Sequence, residues 1–182
     1  MSKDQPTSEA IAVLTIGHST RPVEAFLALL RSHGVERVVD VRTVPRSQRN
    51  PQFNHDVLPA TLADVGIAYT HLAALGGLRH PKGDSPNTGW RNPAFQGFAD
   101  YMLTAEFEQA LAALVDLARG ERIAVMCAEA LPWRCHRSLI SDALTVRGIS
   151  VAHIFDEKPA RPHRLTPWAH VEGTVITYPP DV

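Results

Sequence analysis

Short apolar runs alternate with amphipathic stretches along most of the chain, and that alternation admits few architectures. Ile11 to Ile16 reads as a strand ending at Gly17-His18-Ser19-Thr20. Pro22 suits a first helical turn, Glu24 complements its positive end, and Val23, Phe26, Leu27 and Leu30 repeat at helical spacing up to His33-Gly34. Arg37 to Val41 is a second strand. Leu58, Leu62 and Val65 mark a short helix stopped by Gly66, and Ile67 to Leu72 a third strand. Pro93 begins a helix bearing Phe95, Phe98 and Met102. Thr104 caps the next, where Phe107, Leu111, Leu114 and Ala118 share a face. A fourth strand ends at Cys127, a helix runs from about His136 to Arg147, a strand from Ser150 to Phe155, and a last strand from Thr174 to Tyr178.

Strands returned by helices imply right-handed crossovers and a mostly parallel sheet covered on both faces. The expected fold is a single three-layer α/β domain over residues 11–182, with a strand order of the Rossmann or flavodoxin kind. Residues 1–10 are expected to form a disordered polar tail, and a Pro-rich extension starts near residue 156. With the order 3-2-1-4-5, the ligand crevice beyond the strands' carboxyl ends falls between the first strand and the strand ending at Cys127.

A formal charge of −1 excludes a protein that coats nucleic acid through net charge alone. Arginine supplies 15 of the 18 basic residues, a bias that suits paired hydrogen bonding to anions but also follows from a GC-rich genome. Two cysteines give no disulfide framework, residues 1–10 hold no apolar signal region, and no run reaches the roughly 18 apolar residues of a membrane span. The expectation is a cytoplasmic protein without membrane contact.

Three loops that follow strands carry the reactive residues: Gly17-His18-Ser19, Arg42 to Arg49, and Cys127 to Arg137. A parallel sheet brings all three to one edge. Arg42, Arg46 and Arg49 lie in a stretch with no acid, as a solvated basic loop or as a clamp for phosphate or carboxylate. The helix start near His136 adds free N–H groups at the same place. Cys127 admits four roles: a buried structural thiol, a nucleophile supported by Arg134, His136 and Arg137, a redox partner of Cys135, or a metal ligand with Cys135, His136 and His18. Glu129 and His18 are candidates for proton transfer, set against an ion-paired carboxylate and a loop imidazole satisfied by its neighbours. The Cys-x5-Arg spacing of cysteine phosphatases is absent, because Trp133 stands where the arginine belongs and Arg134 follows one residue late. Trp90 and Arg91, closing a Gly- and Pro-rich connection from Ala73 to Asn92, suit either packing or stacking on a ligand.

Taken together, Thr15 to Thr20, Val39-Asp40-Val41-Arg42 with Pro45-Arg46-Ser47, Asn50 to Asn54, Leu75-Gly76-Gly77, Gly89 to Asn92, Phe98 to Met102 and Cys127 to Ser138 resemble the bacterial family known as domain of unknown function 488. The resemblance spans roughly residues 13 to 155. It implies a compact cytoplasmic α/β protein and carries no activity or cofactor with it.

The expected function is an enzyme, a cysteine-nucleophile transferase or hydrolase, acting on a nucleotide, a phosphorylated metabolite or a nucleic-acid end. Cys127, Glu129, His18 and His136 are its candidate catalytic residues, and Ser19, Arg42, Arg46, Trp90, Arg91, Arg134 and Arg137 its candidate substrate contacts. The alternatives are a non-catalytic nucleic-acid or ligand-binding module, and a zinc-supported interaction domain using Cys127, Cys135 and His136.

Overall fold

Three strands are buried along nearly their whole length, as strands inside a sheet covered on both faces must be. They are β1 (Ala12–Gly17), β2 (Arg37–Asp40) and β4 (Ile123–Cys127), and β4 is buried along its whole length. The computed structural model describes residues 11–181, so the tail expected over 1–10 lies outside the described residues. With β3 (Ala68–His71), β5 (Ser150–Ile154) and β6 (Arg161–Pro162), these strands form a six-stranded sheet in the order β3-β2-β4-β1-β5-β6. All neighbours are parallel except β5 and β6. A separate hairpin pairs β7 (His170–Glu172) with β8 (Val175–Thr177).

Five helices cover the sheet: α1 (Val23–Ser32), α2 (Leu58–Ala63), α3 (Pro93–Tyr101), α4 (Ala105–Gly120) and α5 (Arg137–Thr145). Alternation along each strand divides the core in two. Leu14, Ile16, Val38, Ala124 and Met126 pack with Phe26, Leu30, Leu58 and Leu62 of α1 and α2. Val13, Val39, Val125 and Cys127 pack with Phe98, Phe107, Leu111, Leu139 and Leu144 of α3, α4 and α5. The result is a three-layer α/β domain. No described helix is long and apolar enough to cross a membrane.

The order 3-2-1-4-5 is not adopted, because β4 inserts between β2 and β1. Both orders satisfy the handedness rule with the same helices, so local pattern does not choose between them. The crevice nevertheless falls at the expected strands. Gly17 of β1 sits beside Cys127 of β4, and the two chains then leave for opposite faces, toward α1 and α5.

Two buried carboxylates organise the segments that carry no regular structure. Asp100 accepts from the Lys82 backbone N–H at 2.8 Å, the Ser85 hydroxyl at 2.5 Å and the Asn87 amide at 2.8 Å, which orders the connection before α3. Asp142 on α5 anchors the C-terminal segment. Its Oδ1 accepts from His163 Nε2 at 2.7 Å and the Thr166 N–H at 3.1 Å, and its Oδ2 from the Tyr178 hydroxyl at 2.8 Å. A carboxylate only accepts, so His163 receives at Nδ1 from His153 Nε2 at 2.9 Å, and His153 receives at Nδ1 from the Thr15 hydroxyl at 2.6 Å. The chain of bonds runs from β1 through β5 and α5 to the end of the fold, with every ring nitrogen used. The Pro-rich extension is thus part of the packed body, with Tyr178 fully buried.

Candidate active site

Gly17 ends β1 where backbone approaches backbone: a Cβ there would stand 1.8 Å from the Glu129 carbonyl oxygen. The close approach lets the two loops zip together, His18 N–H donating to the Cys127 carbonyl and Ser19 N–H to that of Ala128, both at 2.9 Å. Ser19 holds the turn in a left-handed conformation, φ 50°. A cleft of about 420 Å³ opens over this junction. His18, Arg42, Arg46, Cys127, Glu129, Arg134, Cys135 and His136 all line it, so the three loops do meet at one rim.

The two sulfurs lie in direct contact at its floor, Cys127 3% and Cys135 7% exposed. Cys135 has the richer surroundings. His136 Nδ1 and the backbone N–H of Arg137, at the start of α5, are each 3.5 Å from its sulfur. His136 Nε2 donates to the Val41 carbonyl at 3.1 Å, so in the neutral ring Nδ1 is the nitrogen that accepts. Gly77 makes this placement feasible, since a Cβ there would come 2.5 Å from Nδ1.

These contacts separate the two thiols. The hydrogen bond from Cys127, then His136 and the nearby Arg137 charge, hold Cys135 well below the usual thiol range despite its burial. Burial and the donation to Cys135 push Cys127 well above it. Arg137 itself is 1% exposed, with no carboxylate within ion-pair distance among the described residues. It donates to the carbonyls of Glu129 and Ala130, and its Nε has no partner. A buried guanidinium calls for negative charge close by, and a Cys135 thiolate supplies it.

Arg42 and His18 play different parts from those expected. The Arg42 guanidinium grips the buried Asp40 with Nε at 2.9 Å and Nη2 at 2.7 Å, donates to the Phe53 carbonyl at 2.7 Å, and reaches His18 Nε2 at 3.2 Å through Nη1. Tyr69 completes the Asp40 cluster with its hydroxyl at 2.6 Å. Arg42 therefore has no fork left for an anion. His18 donates from Nδ1 to the Ser19 carbonyl at 2.8 Å and stacks on Phe53, so both of its ring nitrogens are also occupied. Burial pulls its pKa down to about 4. Arg42 and His18 are thus the wall of the cleft.

His153, buried beside His163, is likewise pulled down to about 3. The unfolded chain then binds protons that the folded one refuses, so these histidines contribute their full stability above about pH 6.5 and lose it as pH falls toward the lower values. By about pH 5 the loss is on the order of 4 kcal/mol, about 10 °C in melting temperature for a domain of this size. Thermal melts at about pH 7 and about pH 5 read this directly, and equal midpoints would contradict it.

At the mouth, Arg46 and Arg134 are exposed with no carboxylate partner among the described residues, and Glu129 is the one acid lining the cleft. Trp90 and Arg91 are not brought here; both line a separate cavity with Trp168 and Phe95. Among the described residues no group of three or more His, Cys, Asp or Glu is placed to hold a metal ion. Neither Asp40 nor Tyr69 was among the expected site residues. Asp40 did carry a signal, a charge at the end of a buried run two positions from an arginine and so on the same side of the strand.

A model of one family, described as a domain of unknown function (DUF488), matches residues 22–144. The chain belongs to the DUF488 family. The match includes α1 to α4, Arg42 and Arg46, both cysteines, Glu129 and His136. No curated protein and no solved structure matches the chain. In this DUF488 member the cleft is built almost entirely within the matched region, whereas His153, His163 and Tyr178 lie beyond it.

Proposed function

We propose that this chain is an enzyme that attacks an anionic substrate with the thiolate of Cys135. The observation that carries the proposal is the arrangement around that sulfur: the second thiol, an imidazole nitrogen tautomerically fixed to accept, a helix-start N–H, and a buried arginine lacking a carboxylate. Nucleophile, base and orienting group in hydrogen-bonded series are the parts that covalent catalysis requires. His136 takes the Cys135 proton at Nδ1. Cys127 donates its S–H to the resulting thiolate. Arg46 and Arg134 receive the substrate's negative charge at the rim, and Glu129 is placed to exchange a proton with the leaving group or with water. The substrate class is a phosphorylated metabolite, a nucleotide or a nucleic-acid end.

Screening against phosphorylated metabolites, nucleotides and oligonucleotide ends tests the proposal. Turnover is expected for one of these classes, and an R46A/R134A variant should raise KM by about tenfold to a hundredfold while leaving kcat near wild type. Binding that weakens steeply with salt, with no product from any substrate, would instead favour a non-catalytic module on the same face.

A further inference from the structure

All three tryptophans of the chain, Trp90, Trp133 and Trp168, line one cavity of about 770 Å³. It shares no lining residue with the thiol cleft and lies on the other side of the 131–138 loop. Trp133 is 58% and Trp168 39% exposed, although indoles favour burial when nothing else is at stake. Phe155 adds another aromatic face. The charged groups in the lining are Arg161 and Arg164, with no carboxylate among them, so the cavity repels a cationic guest. Arg161 lies over the Phe155 ring with its charge 4.9 Å from the centroid, and neither arginine has an ion-pair partner among the described residues. His153 and His163 also face the cavity, but their ring nitrogens are consumed by the chain of bonds to Asp142.

What remains for a ligand is exposed aromatic surface next to uncompensated guanidinium groups, in a space within the usual range for small-molecule sites. A flat heterocycle carrying a phosphate satisfies both features at once. We propose that this cavity is a second site that binds a mononucleotide, its base stacked on Trp133 and Trp168 and its phosphate paired with Arg161 and Arg164. Stacking reads any base, since every base offers an aromatic face. With the histidine edges already used, the four ribonucleoside monophosphates bind within about tenfold of one another. The site stands independently of the thiol chemistry. Phe155, Arg161, Arg164 and Trp168 lie beyond the family match, whereas Trp133 lies within it, so the segment after the match supplies the arginine side of the site.

Intrinsic tryptophan fluorescence reports on this cavity because every indole of the protein lines it. Titrating the full chain with adenosine 5′-monophosphate should give a saturable change with a midpoint between about 10 μM and about 1 mM. Adenosine alone and inorganic phosphate alone should each bind at least about tenfold more weakly. Both R161A/R164A and the surface variant W133L should weaken binding by about tenfold or more, with far-ultraviolet circular dichroism unchanged. R46A/R134A should leave the response intact, and neither R161A/R164A nor W133L should alter alkylation of Cys135, which separates this site from the proposed activity. No saturable change with any of the four monophosphates up to about 10 mM overturns the proposal. So does a response lost in R46A/R134A and kept in R161A/R164A. So does a single-stranded oligonucleotide that binds more than about a hundredfold tighter than the monophosphate, which would make the cavity a strand-binding surface.

Discussion

Cys135→Ser is expected to lower turnover of any accepted substrate by at least about a thousandfold, while the fold and melting temperature change little. The hydroxyl of serine fits the space but does not ionise near neutral pH, so His136 Nδ1 and the Arg137 N–H surround a group that they cannot make nucleophilic. Cys127→Ala should behave differently. It removes a donor to the thiolate, and a hydrogen bond to a charged group is worth about 1.5–3 kcal/mol, or about tenfold to a hundredfold in thiolate fraction. Activity should therefore fall at neutral pH and recover toward alkaline pH. Equal, pH-independent loss in both variants would mean that the two sulfurs act as a unit, as in dithiol–disulfide exchange, and not as nucleophile and supporting donor.

Asp142→Ala should cost about 3–5 kcal/mol of stability, the largest effect expected of any single side chain away from the cleft. The carboxylate is fully buried and receives three donors, so its removal strands an imidazole N–H, a backbone N–H and a phenol hydroxyl. Tyr178→Phe removes one donor together with its demand and should cost only about 1 kcal/mol. Urea unfolding of the two variants measures the contrast. A loss below about 1 kcal/mol for Asp142→Ala would show that the bonds to Asp142 contribute little to holding the C-terminal segment.

The layers of the fold were legible because burial imposes period two on strands and period 3.6 on helices, and both periods stand in the sequence. Neighbour order was not. The Ile123 to Cys127 run needs cover on both sides, but nothing local says whether it pairs with β2 as well as β1. Convergence of the three loops followed from parallel topology alone, and the structure places His18, Arg46 and Cys127 around one cleft as that rule requires.

Roles within the cleft were less legible, because they depend on distances that residue type does not encode. Cys127 drew attention as the strand-end thiol, yet the sulfur beside the imidazole and the helix start is that of Cys135. Arg42 suggested an anion clamp until Asp40, facing the same way two residues earlier, took both arms of its fork. Trp90 and Arg91 belong elsewhere because the long connection is folded back by Asp100, a residue whose importance shows only in its partners. The relay from Thr15 to Tyr178 joins positions scattered from residue 15 to residue 178, and each looks ordinary alone.

If the charge of the cleft resides on Cys135, the pH dependence of alkylation, mapped to each cysteine by mass spectrometry, will report it. Cys135 should react with iodoacetamide at a rate that stays high well below the ordinary thiol range near 8.5, while Cys127 resists modification, and Cys127→Ala should move the Cys135 profile up by about one to two pH units. Preferential labelling of Cys127, or a Cys135 profile centred at the ordinary value, would contradict the account.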